Sequence, residues 1–150
     1  PTVSATAQNT FRLTAFEPDV AARFAGRSFM VQPFIQSIVD EGEFSVFYFN
    51  GEFSHAILKT PKPDDFRVQE EHGGIITAVR PEPELLTAAE AVSRLINPKP
   101  LYERIDLVRS PSGSFLLMEL ELIEPALYLR MDPGAPSRFA AALDRRIHEL

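Results

Sequence analysis

The chain has no cysteine. A disulfide framework, a thiolate zinc site and a cysteine nucleophile are therefore excluded. This fits a reducing compartment, and a cytoplasmic location is the expectation. No apolar run approaches the roughly 20 residues of a membrane-spanning helix, so no membrane partner is expected. The opening Pro1-Thr2-Val3-Ser4 lacks both the basic region and the apolar stretch of a signal peptide. Lys and Arg nowhere cluster and the net charge is −6, which argues against nucleic acid as a partner. Net charge does not exclude smaller anions, which an acidic protein binds when a metal ion mediates. No Ser/His/Asp triad is legible.

What is present suits one globular domain: 150 residues, 45% hydrophobic and 24% charged. Residues 1–10 offer neither a helix start nor an initiator residue, so the chain is expected to be a piece of a longer protein. Glu17 to Ala25 reads as a short helix, with Pro18 in its first turn and Gly26 after its end. Ser28 to Gln36 reads as a strand broken by Pro33, which cannot donate to a ladder. Asn50-Gly51 lies between two alternating apolar runs, 43–48 and 53–58, a strong hairpin signal. A two-residue turn there would pair Phe49 with Glu52, Val46 with His55 and Phe44 with Ile57. His55 reads as a satisfied core histidine. Residues 59–74 are polar and broken, and long loops in compact domains are often functional.

Pro83 to Ile96 has the spacing of an amphipathic helix, ended by Asn97-Pro98. A second hairpin joins 102–109 to 114–123, and Ser137 to Glu149 reads as a closing helix. Hairpins with helices between them predict an α+β domain built on an antiparallel sheet with flanking helices.

The second hairpin carries the most informative pattern. With a turn at 111–114, Ser110 faces Phe115, Asp106 faces Glu119 and Arg104 faces Glu121. Side chains alternate with period 2, so these four charged residues share one face. Ile105, Leu107, Met118, Leu120 and Leu122 share the other face, toward a core. Directly opposed carboxylates repel, so neutralising one is expected to stabilise the fold. A hard divalent cation would account for them, since Mg²⁺ takes one or two carboxylates together with phosphate oxygens. The plainer alternative is a solvated face in which Arg104 bridges the two glutamates.

Met118-Glu119-Leu120-Glu121-Leu122-Ile123-Glu124-Pro125 resembles the Glu-x-Asn-x-x-x-Pro segment of glutathione-synthetase-type ATP-grasp ligases. Arg104-Ile105-Asp106-Leu107 is similar to the strand that supplies their other metal-binding Asp. Phe66-Arg67-Val68-Gln69 with Gly73-Gly74 resembles their Arg-x-Asn loop, with Gln69 departing from the pattern. Val31-Gln32-Pro33-Phe34-Ile35 resembles their adenine-holding hinge, and Gly42-Glu43-Phe44-Ser45 the acidic position near the ribose. Pro1 to Ser4 looks like the start of a phosphate-covering loop. The motifs occur in family order along nearly the whole chain. The paired-glutamate pattern most resembles the sub-family that includes the cyclo-ligase of D-cycloserine biosynthesis.

The resemblance implies that the chain is the C-terminal part of an ATP-grasp fold. It implies ATP and Mg²⁺ (or Mn²⁺) as cofactors, and a ligase that activates a carboxylate for attack by a nitrogen nucleophile. Small-molecule carboxylate and amine substrates follow as partners, and a homo-oligomer is compatible with this reading. Asp106, Glu119 and Glu121 become metal ligands, with Glu121 standing where the family has Asn. Arg67 becomes the catalytic group that stabilises the transferring phosphoryl or the acyl phosphate, and Arg104 the catalytic-site cation that offsets the extra charge of Glu121. Gln32, Phe34, Ile35, Glu43, Lys59 and Ser4 become nucleotide contacts. By itself this stretch is expected to be inactive as a ligase. The competing functions are a non-catalytic nucleotide-binding module of the same fold and a plain interaction domain.

Overall fold

The computed structural model describes residues 10–15 and 18–149. Ser4 lies outside them. The centre is a five-stranded antiparallel sheet in the order β3-β2-β1-β4-β5. Its strands are β1 (Glu43–Phe49), β2 (Glu52–Thr60), β3 (Ile75–Val79), β4 (Tyr102–Arg109) and β5 (Phe115–Glu121). Helix α1 (Pro18–Phe24) and the single turn α2 (Ser37–Asp40) precede the sheet. Helix α3 (Pro83–Ser93) joins β3 to β4, and α4 (Ala135–His148) follows β5. Short 3₁₀ turns occupy Glu70–His72 and Leu129–Met131.

Asn50 and Gly51 both take positive φ, 49° and 79°, as a two-residue hairpin turn with the twist of its strands requires. Asn50 also donates from its amide to the Ala142 carbonyl at 2.8 Å, tying the turn to α4. One sheet face buries Val46, Tyr48, Ala56, Ile105 and Leu107 against Leu85 and Ala89 of α3. The four-residue spacing Leu85, Ala89, Ser93 is the inward stripe of that helix. Helix α4 packs on β1 and β2, with Phe139 edge-on to Phe49 at 5.2 Å.

Both hairpins carry a register irregularity that the sequence reading did not foresee. In the first, Phe49 faces Glu52 as expected, but Ser54 is an extra residue on β2. Phe47 therefore faces His55, and Phe44 faces Leu58 rather than Ile57. In the second, Met118 is the extra residue. Asp106 faces Glu119 and Arg104 faces Glu121 as expected, while Phe115 faces Arg109 and not Ser110. A bulge adds one residue to one strand and re-aims the side chains beyond it. The half of the hairpin that bears the carboxylates keeps its expected register.

Three other expectations are corrected. Residues 28–36 form no strand: none of them joins a ladder of the sheet, and Val31 is 82% exposed. β-propensity without a neighbouring strand gives no ladder. Strand β3 occupies residues that the sequence reading left unassigned. On β5 the apolar residues are only partly covered, with Leu117 48% and Leu120 37% exposed, because β5 is an edge strand. No helix among the described residues is long and apolar enough to cross a membrane.

Candidate functional site

The sheet face opposite α3 is apolar at one end and charged at the other. Phe47 and His55 stack at 4.3 Å near α4, and four charged residues are buried beyond them: Glu43, Lys59, Arg104 and Asp106. The strand order explains the meeting. Glu43 faces Lys59 across β1–β2, Ser45 faces Asp106 across β1–β4, and Asp106 faces Glu119 across β4–β5. Opposite residues in an antiparallel pair project from the same face.

Lys59 Nζ lies 2.6 Å from Glu43 Oε1 and 3.1 Å from Asp106 Oδ2. Arg104 Nη2 lies 3.0 Å from Asp106 Oδ2, 3.6 Å from Glu119 Oε2, and also pairs with Glu121. Its Nε donates to Asp106 as well, 3.1 Å from Oδ2. One guanidinium thus touches three carboxylates. Asp106, Glu119 and Glu121 each offer an oxygen within 4.8 Å of the other two. Fully ionised, four carboxylates against two cations leave an excess of two negative charges.

The electrostatics follow from burial and proximity. Burial raises the carboxyl of Glu43, with Lys59 opposing it. Burial also raises that of Glu119, reinforced by Glu121 and Asp106. Burial works against the charge on Lys59 and Arg104, but the adjacent carboxylates outweigh it and both stay protonated. Hard oxygen donors with surplus negative charge fit a divalent cation of the Mg²⁺ or Mn²⁺ type.

Glu43 is 7% exposed and paired with Lys59. One expectation about this cluster changes. Asp106 is not mainly a repelled partner of Glu119. It is fully buried between two cations, so removing its charge would leave Lys59 and Arg104 poorly compensated.

The remaining expected residues lie in the flanking loops. Arg67 is held two-pronged by Asp65, Nε to Oδ1 at 3.0 Å and Nη2 to Oδ2 at 2.8 Å. Those hydrogen bonds hold the Asp65 carboxyl far below the usual carboxylate range. Gly74 closes the loop tightly: a Cβ there would sit 2.0 Å from the Val68 carbonyl oxygen. Phe34 packs edge-on against Phe66 at 6.1 Å, beneath the Arg12 guanidinium at 3.8 Å. The segment around Phe34 therefore touches the Arg67 loop. Gln32 is exposed and Ile35 half-buried.

The sequence reading missed Ser45, Asp65 and Tyr128. Period-2 alternation from Glu43 puts Ser45 on the charged face, a signal that was available. Tyr128 takes a positive φ of 46°, and its phenol is raised by burial and by Glu70. Nothing in the sequence announced its position.

No family model matches the chain. It is 33% identical over 137 residues to the cycloserine biosynthesis protein DcsG of Streptomyces lavendulae, covering 81% of this chain and 43% of that protein. The crystal structure of the D-cycloserine synthetase DcsG superposes with a TM-score of 0.67 at 30% identity, over 77% of this chain and 41% of that one. The ATP-grasp ligase PsnB, solved with its minimal precursor, superposes at 0.50 with 17% identity, over 68% of this chain and 34% of that one. This chain is a partial ATP-grasp domain. It spans less than half the length of these relatives. Within the ATP-grasp fold, the paired carboxylates of β4 and β5 lie on the face away from the α3-packed core.

Proposed function

We propose that the protein carrying this ATP-grasp segment is an ATP- and divalent-cation-dependent ligase. It activates a carboxylate as an acyl phosphate for attack by a nitrogen nucleophile, either between two molecules or within one. The observation that carries this reading is the convergence of Asp106, Glu119 and Glu121 on one guanidinium, with Lys59 beside them. Similarity to a D-cycloserine synthetase supports a small-molecule acid.

Phosphoryl transfer requires positioning and charge neutralisation more than covalent participation by the protein. In this reading Asp106, Glu119 and Glu121 would hold Mg²⁺ or Mn²⁺, which would supply charge neutralisation to the phosphates. Arg104 lies among those carboxylates, so with a cation held there it would turn from them toward the anionic phosphates. Lys59, paired with Glu43 and Asp106 in this structure, turns its ammonium from Asp106 to a phosphate oxygen. Arg67 leaves Asp65 to stabilise charge spreading over the transferring phosphoryl. Phe34 and Ile35 pack the adenine, with Gln32 at its polar edge.

The test is ADP release by the native protein with Mg-ATP, an acid and an amine. Glu119 is half-exposed, so Glu119→Gln should abolish most turnover while leaving the melting temperature nearly unchanged. Asp106→Asn should abolish turnover and also destabilise the fold, by about 3 kcal/mol or more, as breaking a buried ion pair does. Wild-type turnover in Glu119→Gln would sink the assignment. Nucleotide binding without ADP release under any substrate pair would favour a non-catalytic module instead.

A further inference from the structure

Ser45 sits in the middle of β1, fully buried, and its hydroxyl has no hydrogen-bond partner. Buried polar side chains are nearly always paired, so an orphan of this kind calls for a reason. Its surroundings supply one. Ser45 faces Asp106 across β1–β4 and lies between Glu43 and Phe47 on the charged face. Opposed Cβ atoms in such a pair stand about 4.5–5.5 Å apart, which puts the hydroxyl beside the Asp106 carboxylate.

Asp106 does not need that hydroxyl in the arrangement seen. Oδ2 already faces Lys59 Nζ at 3.1 Å, Arg104 Nε at 3.1 Å and Arg104 Nη2 at 3.0 Å, and Oδ1 accepts from Arg104 Nε at 3.2 Å. Both donors are cations on long stems. If Arg104 and Lys59 turn to an anionic ligand, Asp106 loses every one of these bonds. Ser45 is then the group left beside it, on a rigid central strand. A ligating carboxylate whose second oxygen is unsupported is poorly oriented.

We propose that Ser45 is a positioning residue for Asp106. Its hydroxyl donates to the Asp106 carboxylate once Arg104 and Lys59 release it, and fixes the oxygen that faces the cation. This rests on the ligase reading of the same site. The hydroxyl is unpaired in the ligand-free arrangement because its bond belongs to the loaded one.

The experiment measures Mn²⁺ affinity by electron paramagnetic resonance on the native protein, with a non-hydrolysable ATP analogue. Wild type, Ser45→Ala, Ser45→Thr and Glu119→Gln are compared, and the ligand-free melting temperature of each is recorded. Ser45→Ala should weaken Mn²⁺ binding by about 10–100-fold, as loss of an outer-shell partner does. Its ligand-free melting temperature should be unchanged or higher, since an unpaired hydroxyl is removed. Ser45→Thr, which keeps the hydroxyl, should recover most of the affinity. Wild-type Mn²⁺ affinity in Ser45→Ala overturns the proposal, and so does weakened binding that follows a lowered melting temperature and is not recovered by threonine. If Glu119→Gln weakens Mn²⁺ binding and Ser45→Ala does not, only the role of Ser45 fails. If the wild type binds no Mn²⁺ with the analogue, the ligase reading fails and takes this inference with it.

Discussion

Arg67 is held in place ahead of the role proposed for it. Asp65 grips its guanidinium with two hydrogen bonds and also accepts from the backbone N–H groups of Phe66 and Arg67. The side chain is only one-third exposed, so it is placed without being free. In the proposed reaction it acts on charge that develops in the transition state. Arg67→Ala should therefore lower kcat by on the order of 10²–10³ and change nucleotide affinity much less. Steady-state kinetics on the native protein check this, and equal losses in nucleotide binding and turnover would make Arg67 a ground-state contact. Asp65 could not have been assigned this holding role from sequence, because Asp64-Asp65 in a polar loop looks like ordinary turn chemistry. By contrast, the shared face of Arg104, Asp106, Glu119 and Glu121 was legible from period-2 alternation alone. The link from Glu43 through Lys59 to Asp106 was not, because it needs β1 seated between β2 and β4.

At the scale of elements, His55 ties β2 to the segment that leaves β5. Its Nε2–H donates to the Leu127 carbonyl at 3.0 Å, which leaves Nδ1 to accept from the Ser54 hydroxyl at 2.9 Å. Arg138 of α4 in turn donates to Ser54 Oγ at 3.0 Å. Burial lowers the His55 pKa, opposed by the Leu127 carbonyl and Asp132, and assisted by Arg138. The unfolded chain therefore takes up the proton first. Stability is full above the ordinary histidine pKa of about 6.5 and declines as pH falls toward the lower folded value. The slope contributed is at most about 1.4 kcal/mol per pH unit. Thermal melts from pH 7.5 to 5 should show this loss in the wild type and a smaller one in His55→Gln. An identical pH dependence in both would show that His55 is not the group responsible.

The same element shows where sequence reading reached its limit. Asn50-Gly51 announced the hairpin, yet the extra residue Ser54 moved the register of its inner half by one. A bulge residue has no compositional mark, so the pairing of His55 with Phe47 was not deducible. The Met118 bulge went equally unannounced, but it lies on the turn side of Glu119 and left the carboxylate register intact.

On the scale of the whole molecule, the partial ATP-grasp domain has one face closed by a helix and one that carries the charged cluster. Helix α3 seals the first, and the second is divided between α4 and the charged cluster. The proposed catalytic parts come from strands at the middle and one edge of the sheet, together with the loop after β2. Such a site depends on the packing of the entire sheet rather than on one motif. It also explains why no single segment of the sequence was decisive, whereas the order of the segments was.

The central claim is that the carboxylates of β4 and β5 bind a divalent cation together with a nucleotide. Isothermal titration of the native protein with ATP, in the presence and absence of Mg²⁺, tests it most directly when wild type is set beside Glu121→Gln. Glu121 is partly exposed and its change should spare the fold. The expected result is Mg²⁺-dependent ATP binding in the wild type, with that dependence reduced at least about tenfold in the variant. Equal Mg²⁺ dependence in the two proteins, or ATP binding indifferent to Mg²⁺ in both, would contradict the account.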